Sequence, residues 1–106
     1  MKWLDIKDFP GYQVSDSGLV RNSRGKILKP YDNGNGYLKI TLMRDGKKHR
    51  QFIHRLVGHA FVEGYQQGYT IQHINHDRQC NEKSNLCWMS LEDNVREMHE
   101  YLKGGN

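Results

Sequence analysis

His73 ends a short strand-like run, Tyr69 to His73, and its imidazole is the one side chain whose charge normally changes between pH 5 and 8. It is therefore the first candidate for moving a proton. Alone, a histidine at a strand end serves equally well as a hydrogen-bonded structural residue. Its surroundings sharpen the reading, because Asn85 follows twelve residues later and Asn94 nine beyond that. Taken singly, Asn85 is a loop-closing asparagine and Asn94 an ordinary helix-surface residue. Together with His73 they are three polar groups on separate elements that can converge. Cys80 and Cys87 offer a second chemistry, a zinc-stabilised binding protein with histidine partners. They stand seven apart without the paired C-x-x-C spacing that marks such sites, so this reading is remote.

The elements that must position these groups can be traced from the pattern. Tyr69–His73 reads as a strand, Asn75 to Ser84 as a long polar loop and Leu86–Met89 as a second strand. Ser90, with Asp93 three residues on, gives an N-cap and a capping-box-like acid, opening a helix from Leu91 to about Leu102 that ends before Gly104. Upstream, His54 to Val62 sets Leu56, Val57, Ala60 and Phe61 on one helical stripe. Before it, Tyr37–Arg44 alternates and Asp45-Gly46 supplies a two-residue hairpin turn. Pairing Arg44 with Lys47 puts Leu38, Ile40 and Leu42 opposite Ile53, Gln51 and His49, with Lys39, Thr41, Lys48 and Arg50 on the other face. A twisted basic ribbon of this kind fits a DNA groove, and a solubilising face has the same sequence pattern. Met1 to Leu28 reads as short strands around the turns Ser15–Gly18 and Ser23–Gly25, and Tyr31 to Gly36 as a loop.

At 106 residues the chain has room for one modest core. No apolar run reaches a spanning length and Met1 to Asp8 lacks a signal-peptide core, so the chain is read as intracellular, with no membrane partner. For a chain in a reducing compartment a structural disulfide between the two cysteines is not expected. Charge is uneven. Residues 1–50 carry eleven Lys/Arg against five Asp/Glu, and residues 51–106 carry five against seven. The front half is a basic surface suited to a polyanion; the back half is not.

Gln72-His73-Ile74-Asn75, Asn81, Asn85-Leu86-Cys87-Trp88 and Glu92-Asp93-Asn94 resemble the HNH endonuclease signature with its ββα-metal fold. His54-Arg55-Leu56-Val57-Gly58-His59-Ala60-Phe61 resembles the helix that precedes this finger in phage HNH homing endonucleases. Trp3-Leu4-Asp5-Ile6, Tyr12-Gln13-Val14-Ser15, Gly18, Val20-Arg21 and Gly25 resemble the NUMOD4 segment found at the front of the same enzymes. The implied fold is α+β: a small antiparallel sheet and hairpin unit, a connecting helix and a C-terminal ββα-metal finger. Residues 1–53 would form the basic NUMOD4-like DNA-binding segment and residues 54–106 the nuclease module, in one compact unit.

The resemblance implies hydrolysis of DNA phosphodiester bonds. His73 would be the general base, Asn85 would brace the loop that holds it, and Gln72 and Asn94 would be ligands to one Mg²⁺ or Mn²⁺. Arg21, Lys39, Lys48, Arg50 and Arg55 are the candidate DNA contacts. Leu86 and Trp88 are expected in the core, and Trp3 and Tyr12 in packing rather than base stacking. Double-stranded DNA is the expected partner of a monomer with no small-molecule substrate, acting in a host cytoplasm if the source is a phage. A single metal centre cuts one strand at a time, so nicking is the simpler outcome. Gln72 departs from the Asp or Asn that the family carries there, being neutral and one methylene longer than asparagine, while His76 and Asp77 are the neighbours able to substitute. Two functions are implied: a metal-dependent nicking endonuclease, or an HNH-fold module with weakened or absent catalysis that binds DNA or protein.

Overall fold

The computed structural model describes residues 1–32, 34–90 and 92. Among the described residues, three small antiparallel sheets pack around the helix of residues 53–61. The first is the meander β1 (Trp3–Asp5), β2 (Gln13–Ser15) and β3 (Val20–Arg21), with Leu4 opposite Val14 and Val14 opposite Val20. Alternation turns Val14 and Val20 into the core. On the other face the side chains of Asp5, Gln13 and Arg21 form a row. Gln13 Nε2 donates to Asp5 Oδ1 at 3.0 Å, and Arg21 Nε and Nη2 donate to Gln13 Oε1 at 2.9 and 2.6 Å.

The second sheet is β4 (Tyr31–Asp32), β5 (Leu38–Arg44) and β6 (Lys47–Phe52). Asp45 and Gly46 both have positive φ, 53° and 73°, as a type I′ turn requires, and Arg44 pairs with Lys47. The expected register results, with Leu42 opposite His49 and Ile40 opposite Gln51. Tyr31 and Asp32 were expected in a loop, yet they pair with Lys39 and Leu38 as an edge strand. Their brevity explains the difference, since two residues carry no period. The Asp32 carboxylate accepts the N–H groups of Gly34 at 2.8 Å and Gly36 at 3.0 Å. Those bonds hold its pKa below the usual carboxylate range.

Strand β6 runs directly into helix α1 (Ile53–Phe61), with Phe52 as both last strand residue and extended N-cap. Ile53, Leu56 and Val57 are buried along one side of the helix. The third sheet, β7 (Thr70–His73) with β8 (Leu86–Met89), packs on the same helix. It comes close because residue 58 is glycine: a Cβ there would lie 2.9 Å from both Ile71 Cδ1 and Trp88 Cζ2. The Trp88 indole donates to the Val62 carbonyl at 3.0 Å. Leu86 is buried and Trp88 half-buried against the core; Tyr12 packs there too, its hydroxyl accepting the Met43 N–H at 3.1 Å. Val14, Val20, Ile40, Leu42, Ile53, Val57, Ile71 and Leu86 belong to one core cluster, so the three sheets share an interior.

The helix expected over residues 91–102, and Asn94 within it, lie outside the described residues apart from Glu92. Among the described residues no helix is long and apolar enough to cross a membrane.

Candidate active site

Between β7 and β8 the chain makes a loop that ends in a short 3₁₀ turn, Lys83–Asn85. Asn85 ties its two ends together. The Asn85 carbonyl accepts the Ile74 N–H at 2.7 Å and Asn85 Oδ1 accepts the Asn75 N–H at 3.1 Å. Its amide nitrogen donates to Asn75 Oδ1 and to the Cys80 carbonyl, both at 2.9 Å. Within the loop, Asn75 Oδ1 also accepts from Asp77 N and Asp77 Oδ1 from Gln79 N, two successive Asx turns. A polar loop with no apolar residue between Ile74 and Cys80 is thus held by its own asparagine and aspartate side chains.

His73 stands at the start of this loop, 7% exposed, and its Nε2 lies 2.8 Å from Oδ1 of Asn81, which is 5% exposed. An amide oxygen only accepts, so Nε2 carries a proton, and in the neutral ring the lone pair is then on Nδ1. The partner of the histidine is therefore Asn81, while Asn85 acts on the loop around it. Residue reasoning assigned Asn81 no role, since no periodicity encodes which loop asparagine folds back on a strand end. Its place in the family signature was the available signal.

An aromatic stack backs His73. The His54 ring centroid lies 5.0 Å from that of His73, and Tyr37 and Phe52 each lie 5.2 Å from His54. Cations cover the outer rings: Arg78 sits 4.7 Å over Tyr37, and Lys39 and Arg55 lie 4.7 and 5.1 Å from Phe52. His54 is buried and its Nδ1 has no hydrogen-bond partner among the described residues. Burial, then coulombic repulsion from His73 and Arg55 against a charged His54 ring, pushes its pKa from 6.5 down to about 3. Between those values the unfolded chain binds a proton that the folded chain refuses. Stability is therefore full above pH 6.5 and is lost as pH falls toward 3, at up to about 1.4 kcal/mol per pH unit. Urea unfolding across pH 7 to 4 should show that slope, and His54→Phe should flatten it; equal slopes in the two proteins would refute this origin.

Gln72 faces away from His73, as neighbours on a strand must. Its Nε2 donates to Thr70 Oγ1 at 3.1 Å, and its amide oxygen accepts no hydrogen bond among the described residues. With Tyr37, Phe52, His54, Arg55 and Thr70 it lines a cavity of about 240 Å³. No group of three or more His, Cys, Asp or Glu able to hold a metal occurs among the described residues, and Cys80 and Cys87 are half-buried thiols.

The cationic candidates fall on two surfaces. Lys39, Thr41, Lys48 and Arg50 share the outward face of the β5–β6 hairpin, where Lys48 and Arg50 are exposed and line a groove with Tyr31 and Thr41. Arg55 continues from it onto α1. Arg21 lies apart, on the first sheet, stacked 4.1 Å over Trp3 and bonded to Gln13.

Comparison with known proteins matches this geometry in both halves. Residues 1–43 match the NUMOD4 motif and residues 51–96 the HNH endonuclease family. Over 97 residues the chain is 39% identical to DNA endonuclease I-HmuI of Bacillus phage SP01, covering 90% of this chain and 56% of that one. It is 31% identical over 104 residues to H-N-H endonuclease F-TflI of Escherichia phage T5, covering 94% and 53%. The solved structure described as DNA binding and cleavage by the HNH homing endonuclease I-HmuI superposes with a TM-score of 0.89 at 36% identity, over 99% of this chain and 60% of that one. The chain thus spans a little over half the length of these relatives. It belongs to the HNH endonuclease family, carrying an N-terminal NUMOD4 motif ahead of its HNH module.

Proposed function

We propose that the chain hydrolyses phosphodiester bonds of double-stranded DNA, one strand at a time, with His73 as general base and one Mg²⁺ or Mn²⁺ as cofactor. The observation that carries this reading is the buried Asn81–His73 hydrogen bond, which fixes the imidazole tautomer. With its proton on Nε2, the ring can take a proton from water at Nδ1. The resulting hydroxide attacks phosphorus, and the P–O3′ bond on the opposite side breaks. Asn85 keeps the loop closed so that His73 and Asn81 hold their positions.

The family implies a divalent metal, and the donor chemistry accommodates one. The uncommitted amide oxygen of Gln72 is a hard donor suited to Mg²⁺ or Mn²⁺, and Asn94 offers a second. When bound, such an ion supplies a Lewis acid for the departing 3′ oxygen. DNA would lie on the basic face carrying Lys39, Lys48, Arg50 and Arg55, with Arg21 as an outlying contact, so that residues 1–53, joined by Arg55, bind and residues 54–106 cut. I-HmuI and F-TflI come from phages, which favours a reaction in the host cytoplasm.

Supercoiled plasmid incubated with Mg²⁺ or Mn²⁺ should convert to open circles, and EDTA should stop the conversion. Intact supercoiled DNA in the presence of metal and bound protein would overturn the nuclease reading in favour of a binding module. Lys48→Ala and Arg50→Ala should each weaken binding and make the slope of log K against log salt shallower by about 0.9, one phosphate contact apiece. An unchanged slope would make the ribbon a solvated face.

A further inference from the structure

The NUMOD4 half does more than carry positive charge, because one of its turns lies against the residue that holds His73. Strands β2 and β3 are joined through Ser15–Gly18, a turn locked from within. Ser15 Oγ accepts the Leu19 N–H at 2.9 Å and lies 2.9 Å from Ser17 Oγ, and the Gly18 N–H donates to the Ser15 carbonyl at 3.0 Å. From this turn the Asp16 carbonyl accepts the Lys83 N–H at 2.9 Å, a backbone bond into the nuclease loop. Gly18 lies against Asn81 itself: a Cβ on Gly18 would sit 2.9 Å from Asn81 Cβ and 3.1 Å from the Asn81 carbonyl oxygen. Its φ of +92° also belongs to the region that favours glycine.

We infer that Gly18 is a positioning residue for cleavage, setting the depth at which Asn81 seats and thereby the tautomer and angle of the His73 ring. This rests on the reading of His73 as the base. A methyl at position 18 cannot be absorbed by a flexible side-chain end, since the atoms it meets are a buried Cβ and backbone. Asn81 must move by several tenths of an ångström, which is the tolerance of a preorganised site.

The test is Gly18→Ala in the full chain, with Gly25→Ala as its control. Gly25 has a comparable φ of +79° in the next turn of the same sheet, but a Cβ there meets nothing within 4 Å. Gly25→Ala therefore reproduces the backbone strain without the contact. Gly18→Ala should lower kcat for nicking at least tenfold with KM and DNA affinity within about twofold of wild type. Gly25→Ala should lose only the part of the thermal stability that the strain costs and leave kcat unchanged. Adding Gly18→Ala to Asn81→Ala should cause no further loss, since both act through one contact. In ¹⁵N spectra of histidine-labelled protein, the clean Nε2–H signature of His73 should give way to a tautomer mixture in Gly18→Ala alone. A normal spectrum and kcat in Gly18→Ala, or equal losses in Gly25→Ala, would overturn the inference. If His73→Ala nicks at the wild-type rate, the base assignment fails instead, and the spectrum still reports whether Gly18 positions the ring.

Discussion

His73→Ala is expected to slow plasmid nicking by roughly two to four orders of magnitude while DNA affinity changes by less than about twofold. The size comes from what the ring would supply on the proposed reading, a lone pair held in one orientation by a partner that is itself buried. Water alone cannot replace it at that geometry. Binding should survive because the candidate phosphate contacts Lys48 and Arg50 line a groove on the hairpin to which the histidine's strand contributes no residue. Alanine also leaves Asn81 Oδ1 buried without its donor, a cost of about 1–3 kcal/mol in stability. His73→Gln separates the two effects, since its amide can return a donor to Asn81 but cannot take a proton at pH 7. Both variants should be inactive and only the alanine variant markedly destabilised. Nicking by His73→Gln at a rate near wild type would sink the base assignment, whatever the stability data show.

The second large effect is a gain. Gln72→Asp should lower the Mn²⁺ concentration that half-saturates nicking by about tenfold or more, because a carboxylate adds a full negative charge for a hard cation. It also withdraws the donor by one methylene, about 1.5 Å. Gln72→Ala should move the midpoint the other way. Titration calorimetry with Mn²⁺ alone gives the same order of affinities independently of cleavage. An identical midpoint in all three proteins would remove Gln72 from the ligand set and leave a neutral glutamine paired to Thr70 on the rim of its cavity.

Which parts of this arrangement could be read from residues alone depends on how local their causes are. The Asp45-Gly46 turn sets a hairpin register by backbone sterics, so Ile40 opposite Gln51 and Leu42 opposite His49 were legible. So were the α1 stripe of Leu56 and Val57 and the limits of β8. Tyr31–Asp32 was not, because an edge pair of two residues is created by its neighbour rather than by its own pattern. At the site, His73 and the loop it opens were legible from spacing and family likeness. The bond to Asn81, the burial of His54 and the contact with Gly18 were not, since each joins residues that meet only when separate elements close on one another. Arg21 shows the same limit from the other side. Its charge suggested a partner outside the molecule, and nothing near it in sequence signalled the contacts it also makes within it, to Gln13 and the Trp3 indole.

The junction at Phe52 has a mechanical consequence. One residue ends the strand that bears Arg50 and begins the helix that bears His54 and Arg55, with no slack between them. On the proposed reading, grip and cut are then two marks on one ruler, since the helix that continues the gripping strand is the one against which the strand of His73 packs, and that packing sets the number of nucleotides between the held phosphate and the broken one. Lengthening the junction by a single residue would turn the helix by about 100°, and the ruler would point its cutting mark away from the strand it measures.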